Sequence, residues 1–290
     1  MESHDGYIQV KGGKIYWKSV GEGDKTPILV LHGGPGFSHK PLVSSFEKIS
    51  RSRRVYFYDQ LGSGKSDRPN DLGLWTIDRF VEEIITIRNE LELNQIILWG
   101  GSWGTMLGVD YLLTQPEGVL GVILSNPCLS AKMWKLDADR LRKKLPEKVQ
   151  EVLREHESCG TTDSKEYEEA MWEYLKRFAC LIDPIPQEIL DEFTDANQII
   201  YNYMWGPSEF FPTGTLRDYD RTKGLYKIKH PTLFICGRED EATPESTEFY
   251  ANQMPNAEFK VIENASHMAM LEKPEKYSEL IENFLNQIEL

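Results

Sequence analysis

Short apolar segments alternate with helical repeats through the first half of the chain. An alternating pattern with a turn at 11–13 predicts a β-hairpin over residues 7–19. Helical patterns, most clearly over 77–91, separate the apolar runs that follow. These runs lie at 28–31, 55–58, 96–99 and 119–124. Strands and helices in alternation predict a parallel sheet with helices on both faces.

The pattern changes after residue 127. Residues 128–216 contain no convincing buried strand and are helix-rich, charged and aromatic. Strand patterns resume at 232–236 and 259–262, and an amphipathic helical pattern follows over 274–288.

The interval between the fourth apolar run and residue 232 is far longer than an ordinary connection, so it must hold structure of its own. We therefore predict an α/β core domain formed by 1–127 and 217–290, with an eight-stranded, mostly parallel sheet. Residues 128–216 are predicted to form an inserted helical cap over the carboxyl ends of the strands, where such sheets bind ligands.

Composition narrows the classes of partner. The 290 residues carry a formal net charge of −13, which argues against nucleic acids and anionic membranes because both attract basic surfaces. The negative charge has two alternative explanations, namely solubility or an acidic cleft that favours cationic substrates. The N-terminal residues lack the features of a secretory signal, and no run approaches the ~18 apolar residues of a membrane span.

The four cysteines have neither metal-ligand spacing nor the density of a disulfide framework. We read them as reduced thiols in a cytoplasmic protein. The sequence has no HExxH motif and no Cys/His cluster, so we expect no metal and no cofactor. It leaves the oligomeric state open.

The most informative motif is GGSWG at 100–104, which fits G-x-S-x-G. It follows an apolar run and precedes a helical pattern, which is the strand–turn–helix context of a nucleophile elbow in the α/β-hydrolase fold. Glycines tolerate the sharp turn that lifts the Ser102 hydroxyl to a helix N-terminus. The alternative is a plain strand-to-helix turn that happens to contain serine.

Two further glycine-rich segments follow predicted strands. In HGGPG at 32–36, backbone N–H groups can approach an oxyanion, and we assign the two donors to Gly34 and to Trp103, the residue after the nucleophile. The alternative is a glycine-rich exit from the strand. His32 is expected to be structural. Residues 59–66, DQLGSGKS, lack the spacing of a phosphate-binding loop and predict a tight structural turn.

An acid and a base follow the last two predicted strands. The strand at 232–236 leads to Asp240, with Glu239 and Glu241 as competing carboxylates, and the last strand leads to His267. The chain order of serine, acid and histidine is that of the α/β-hydrolase fold. In this hypothesis His267 takes the proton of Ser102, and the carboxylate orients the imidazole.

Together these segments resemble the proline iminopeptidases, also called prolyl aminopeptidases, and the related tricorn-interacting aminopeptidases. The resemblance covers nearly the whole chain. Its matches are HGGPG at 32–36, DQLGSGKS at 59–66, GGSWG at 100–104, GREDEATP at 237–244 and SHMAMLEKP at 266–274. It implies that Asp240 is the acid. It also implies that Glu241 and Glu209, the latter in WGPSEF at 205–210, bind the free amino group of the substrate. The alternative for each glutamate is a solvated or structural carboxylate.

Three functions follow from these residues and from the resemblance. The first is a serine aminopeptidase that releases an N-terminal residue, preferably proline, from small peptides through an acyl-enzyme. The second is an amidase or esterase of the same fold acting on amino-acid amides or a specialised metabolite, because the same triad serves both bonds. The third is a non-catalytic binding protein on a hydrolase scaffold.

Overall fold

An eight-stranded sheet forms the centre of the computed structural model, which describes residues 2–289. The spatial order of the strands is β1-β2-β4-β3-β5-β6-β7-β8, and only the pairs β1–β2 and β2–β4 are antiparallel. The strands are β1 Ser3–Val10, β2 Gly13–Val20, β3 Lys25–Leu31, β4 Arg53–Tyr58, β5 Ile96–Gly101, β6 Val119–Ser125, β7 Thr232–Gly237 and β8 Ala257–Ile262. The predicted eight-stranded, mostly parallel sheet is confirmed.

Ten α-helices are described within residues 2–289. They are α1 Ile77–Glu90, α2 Trp103–Leu113, α3 Ala131–Arg142, α4 Glu147–Cys159, α5 Lys165–Phe178, α6 Gln187–Asp195, α7 Gln198–Met204, α8 Pro244–Gln253, α9 Ala269–Glu272 and α10 Pro274–Ile288. Short 3₁₀ turns lie at Lys40–Leu42, Ser44–Phe46, Ile49–Arg51, Leu72–Leu74 and Thr222–Lys227. In the described part of the chain, no helix has the length and apolarity needed to cross a membrane.

The central strands β5, β6 and β7 are buried on both faces, which explains why they are nearly continuous apolar runs. In β3, Leu29 and Leu31 belong to the core beneath α1 and α2, whereas Ile28 and Val30 belong to the core beneath α10. Successive side chains of a strand point to opposite faces, so each run supplies both cores.

Five helices, α3–α7, lie between β6 and β7, and we call them the inserted helices. Part of this insert has a core of its own, which includes Leu153, Tyr167, Tyr174 and Phe210. Another part shares the core of the sheet, because Tyr201 of α7 packs in the same cluster as α1 and α2. The domain boundaries at 128 and 216 therefore stay a prediction.

The close approach of α2 to β3 gives a test of this packing. A Cβ at Gly104 would overlap the backbone carbonyl of Leu31, whereas a Cβ at Gly108 in the same helix would meet side chains at 3.6 Å. We expect Gly104→Ala to lower the free energy of unfolding by roughly 2–3 kcal/mol, as overpacking does. The matched Gly108→Ala should be neutral or stabilising, because alanine favours helix. Urea denaturation of the two variants measures both, and equal effects would contradict the proposed packing.

Candidate active site

Ser102 lies at the turn between β5 and α2, at the carboxyl edge of the sheet. Its backbone has φ +52° and ψ −121°, a strained conformation for a residue with a side chain. Its N–H donates to the Ser125 carbonyl oxygen at 3.0 Å, which ties the turn to the end of β6. The turn sets the partly exposed side chain of Ser102 at the N-terminus of α2, where negative charge is favoured.

Asp240 and His267 meet across the ends of β7 and β8. The ring Nδ1 of His267 lies 2.7 Å from Oδ1 of Asp240, and this carboxylate is fully buried. The Ala242 N–H also donates to Oδ1, at 2.8 Å. Glu239 is exposed, so among the three neighbouring carboxylates only Asp240 is placed to orient the imidazole.

Asn126 completes this arrangement, and sequence reasoning missed it. Its side-chain amide donates to Oδ2 of Asp240, and it stands just after β6 with φ +55°. The apolar run that ends at Leu124 and the Asn-Pro step after it mark a strand end at this edge. That signal could have drawn attention to Asn126.

Ser102 and His267 line one cavity. The hydrogen bonds found within residues 2–289 include none between the Ser102 hydroxyl and the His267 ring. Hydrogen bonds between catalytic groups are frequently long before substrate binds and tighten in the complex. Ser102 and His267 therefore lie in the same cavity, but within residues 2–289 no hydrogen bond joins their side chains.

Of the two predicted oxyanion donors, Trp103 follows Ser102 in the chain and Gly34 lines the same cavity as Ser102. Gly34 lines the cavity with φ +116°, a conformation that favours glycine. Trp103 begins α2, so its N–H has no carbonyl of its own helix to bond. The Trp103 indole donates to the Gln60 side-chain oxygen at 2.7 Å, which fixes the residue beside the turn.

His32 is a structural residue, as expected from the sequence. Its Nδ1 bonds the Gly33 carbonyl oxygen at 2.8 Å, and its Nε2 accepts the Gln60 N–H at 3.0 Å. Burial lowers the pKa of His32 to about 4, which keeps the ring neutral.

The segment 59–66 is the predicted tight turn, in which the Asp59 carboxylate accepts the Lys65 N–H at 2.8 Å.

Glu209 and Glu241 line the same cavity as Ser102 and His267. Glu241 is 2% exposed, and within residues 2–289 its Oε2 has no hydrogen-bond partner. The half-buried Glu209 is held through its backbone carbonyl, which accepts the indole N–H groups of Trp134 at 2.7 Å and Trp205 at 3.1 Å. The structure therefore brings both predicted glutamates to the site.

The two carboxyl groups have no cation of their own within residues 2–289 and share the His267 imidazole with Asp240. Burial raises the pKa of Glu241 well above its usual range, and the charges of Glu209 and Asp240 add to this effect. Burial also raises the pKa of Glu209. A ligand that brings a positive charge would favour the ionised form of both groups and could donate a hydrogen bond to Oε2 of Glu241.

The same carboxylates act on the imidazole. Burial alone would lower the pKa of His267, but the charge and hydrogen bond of Asp240, followed by the charges of Glu241 and Glu209, raise it to about 9. These negative charges therefore favour the protonated imidazole, and a bound cation would offset them.

Helix α5 binds both the loop that carries the acid and the loop that carries the base. The Phe178 carbonyl oxygen, at the end of α5, accepts the N–H groups of Glu241 and His267, each at 3.2 Å.

The remaining cavity wall is mostly apolar and includes Phe37, Leu42, Leu175, Ile189, Phe193, Met268, Met270 and Leu271. Residues 2–289 contain no group of three or more His, Cys, Asp or Glu side chains that could hold a metal ion.

Comparison with known proteins places this geometry in context. A family model described as alpha/beta hydrolase fold matches residues 26–274. The chain is 46% identical to a proline iminopeptidase of Heyndrickxia coagulans, covering 98% of this chain and 99% of the relative. It is 35% identical to a proline iminopeptidase of Clostridium botulinum, covering 99% of each.

Solved structures agree with this relationship. The crystal structure of VinJ superposes with a TM-score of 0.94 at 34% identity and covers 98% of this chain and 99% of its own. The proline iminopeptidase of Mycobacterium smegmatis superposes with a TM-score of 0.90 at 30% identity and covers 98% of each.

The geometry predicts the reactivity of Ser102. A fluorophosphonate probe, which reacts with activated serines, should label the protein, and Ser102→Ala should abolish labelling. Asp240→Asn should slow labelling by roughly 10³-fold or more, because the imidazole loses its orienting carboxylate. The exposed neighbour supplies the control, since Glu239→Gln should label at the wild-type rate. Wild-type protein that resists the probe would refute the assignment.

The labelling rate should also depend on pH through His267. A protonated imidazole cannot accept the serine proton, so the rate should rise with pH and level off only above about 9. Glu241→Gln removes a charge that raises the His267 pKa, so it should move the midpoint to lower pH. Glu239→Gln should leave the midpoint in place. A wild-type midpoint near the ordinary histidine value of about 6.5 would contradict this electrostatic picture.

Proposed function

We propose that this chain, which belongs to the proline iminopeptidase family of α/β hydrolases, is a serine aminopeptidase that releases an N-terminal residue, preferably proline, from small peptides. The observation that carries the proposal is the buried Glu241 carboxylate. It lacks a partner for Oε2 within residues 2–289 and lies with Glu209 in the cavity of Ser102. A substrate with a free ammonium group supplies the charge that this site lacks.

Peptide cleavage follows from the arrangement of the triad. His267 accepts the Ser102 proton as the hydroxyl oxygen attacks the carbonyl of the first residue. The N–H groups of Gly34 and Trp103 bind the oxyanion that forms. His267 then gives its proton to the leaving amine, and an acyl-enzyme remains on Ser102. Water activated by the same imidazole releases the amino acid.

The glutamates connect substrate binding to this chemistry. A bound ammonium offsets the negative charges that raise the pKa of His267, so the imidazole loses its proton more readily when the correct substrate is present. An N-acylated substrate brings no charge and leaves the buried Glu241 carboxyl group without the cation. The proposed site therefore selects free amino termini both in binding and in activation of the base.

The leaving group is less tightly specified than the amine. Within residues 2–289, the cavity lining includes the carboxylates Glu192, Glu209 and Glu241 but no lysine or arginine that would hold a peptide carboxylate. This wall favours apolar, uncharged leaving groups. An amidase or esterase acting on amino-acid amides or a specialised metabolite is therefore the second candidate function. A cytoplasmic location, without nucleic-acid or membrane partners, is part of the same proposal.

A panel of aminoacyl arylamides tests this function. Prolyl arylamide should be cleaved fastest, and its N-acetylated form should be cleaved much more slowly. Glu241→Gln should lower kcat/KM for the free-amine substrate by about 100-fold, because an ammonium then faces a buried amide. The N-acetylated substrate should lose far less with this variant. Glu239→Gln serves as the control and should match the wild type.

Two results would argue against the aminopeptidase. Equal turnover of free and N-acetylated arylamides would remove the role of the glutamates and favour a general amidase or esterase. A preference for another N-terminal residue would keep the aminopeptidase but remove proline as the preferred residue.

A further inference from the structure

A third glutamate reaches the cavity from the inserted helices. Glu192 of α6 is 7% exposed and lines the cavity with Ser102. Its Oε1 accepts the backbone N–H of Ser38, and its Oε2 accepts the Ser38 hydroxyl at 2.7 Å. The two residues are 154 positions apart. A carboxylate that takes both donors of one residue fixes that residue closely.

We propose that Glu192 is a positioning residue, which holds the loop at 33–39 so that Gly34 presents its N–H to the oxyanion formed at Ser102. This role of Glu192 depends on the proposed function in one respect, namely that Gly34 is an oxyanion donor. Preorganised donors are worth most when they do not move as charge develops, so the loop that carries one must be rigid.

Other contacts show that α6 and α7 hold this loop at several points. The Gly36 carbonyl accepts the Asn197 N–H at 2.9 Å. The ring of Phe37 packs edge-on against Phe193, with centroids 5.3 Å apart, and against Tyr201, at 5.8 Å. Among these contacts between the helices and the loop, the one made by Glu192 involves a charged group. It reaches the loop at Ser38, the residue after Phe37.

The bonding of Glu192 separates it from the two glutamates of the amine site. Both of its oxygens already accept hydrogen bonds from Ser38, whereas Oε2 of Glu241 has no partner within residues 2–289. Burial raises the pKa of Glu192, and the Ser38 donors oppose that effect. Ser38 occupies one acceptor position on each Glu192 oxygen, so we assign the place of Glu192 in the cavity wall to holding the loop.

The chain offers a matched control for this contact. Lys40 pairs with Asp195 at 3.3 Å, which links the residues just after the loop to the last turn of α6. Both side chains are more than half exposed, and such a pair contributes little. Lys40→Ala therefore removes a side-chain contact between the same two elements and keeps the Lys40 backbone N–H, which donates to the Ser38 hydroxyl oxygen at 3.3 Å.

Steady-state kinetics on prolyl arylamide test the proposal. Glu192→Ala should lower kcat by about 10- to 100-fold with little change in KM, as expected for a displaced donor. Glu192→Asp is one methylene shorter and should also lower kcat. Glu192→Gln should keep most of the activity, because its oxygen can accept the Ser38 N–H and its amide can donate to the Ser38 hydroxyl. Lys40→Ala should match the wild type.

The fluorophosphonate labelling rate should follow kcat in this series, because phosphonylation of Ser102 needs the oxyanion donors but no free amine. If Glu192→Ala fails to fold, as judged by thermal unfolding, Glu192→Asp and Ser38→Ala decide the test, and both should slow labelling. Wild-type protein that labels but does not cleave arylamides would refute the proposed function, and the Glu192 series could still be read by labelling.

Three outcomes would overturn the positioning role. A raised KM for free-amine substrates in Glu192→Gln would make Glu192 part of the amine site. Unchanged kcat and labelling in folded Glu192→Ala would show that the contact is dispensable. Equal losses in Glu192→Ala and Lys40→Ala would show only a general weakening of the contact between α6 and the loop.

Discussion

Buried negative charge around a single imidazole is the constraint on which this site depends. Asp240 is paired with His267, but Glu241 and Glu209 add two further carboxyl groups without adding a second cation. Keeping such groups out of water costs free energy. The fold retains them at a place where a charged ligand would relieve the cost, which is a common relation between local instability and function.

The sheet explains how residues so distant in sequence meet. The strands β3, β5, β6, β7 and β8 are neighbours or near neighbours in a parallel array, so the loops after their carboxyl ends lie along one edge. Those loops carry Gly34, Ser102, Asn126, Asp240 and His267. The insert between β6 and β7 then supplies Glu192 on α6, the carbonyl oxygen at the end of α5, and Glu209 in the turn after α7.

The fold could be predicted because its signals are local. Each apolar run is continuous where the strand is buried on both faces, and α10 occupies the predicted 274–288. The residues Ser102, Asp240 and His267 follow predicted strand ends, so one rule of topology places them together. Asn126 and Glu192 were missed because their partners are 114 and 154 positions away, and no spacing pattern records such pairs. The limits of the cap were hard to predict for a related reason, since α7 packs in the core of the sheet.

The Phe178 carbonyl has a consequence for how molecules enter and leave. One oxygen at the end of α5 accepts N–H groups from the acid-bearing loop and from the base-bearing loop. A hinged swing of α5 away from the sheet would break both bonds and release the two loops in every turnover. An opening at the side of the cavity would leave both bonds in place, and there Pro41, Met270 and Leu271 are shared between the cavity and neighbouring surface grooves.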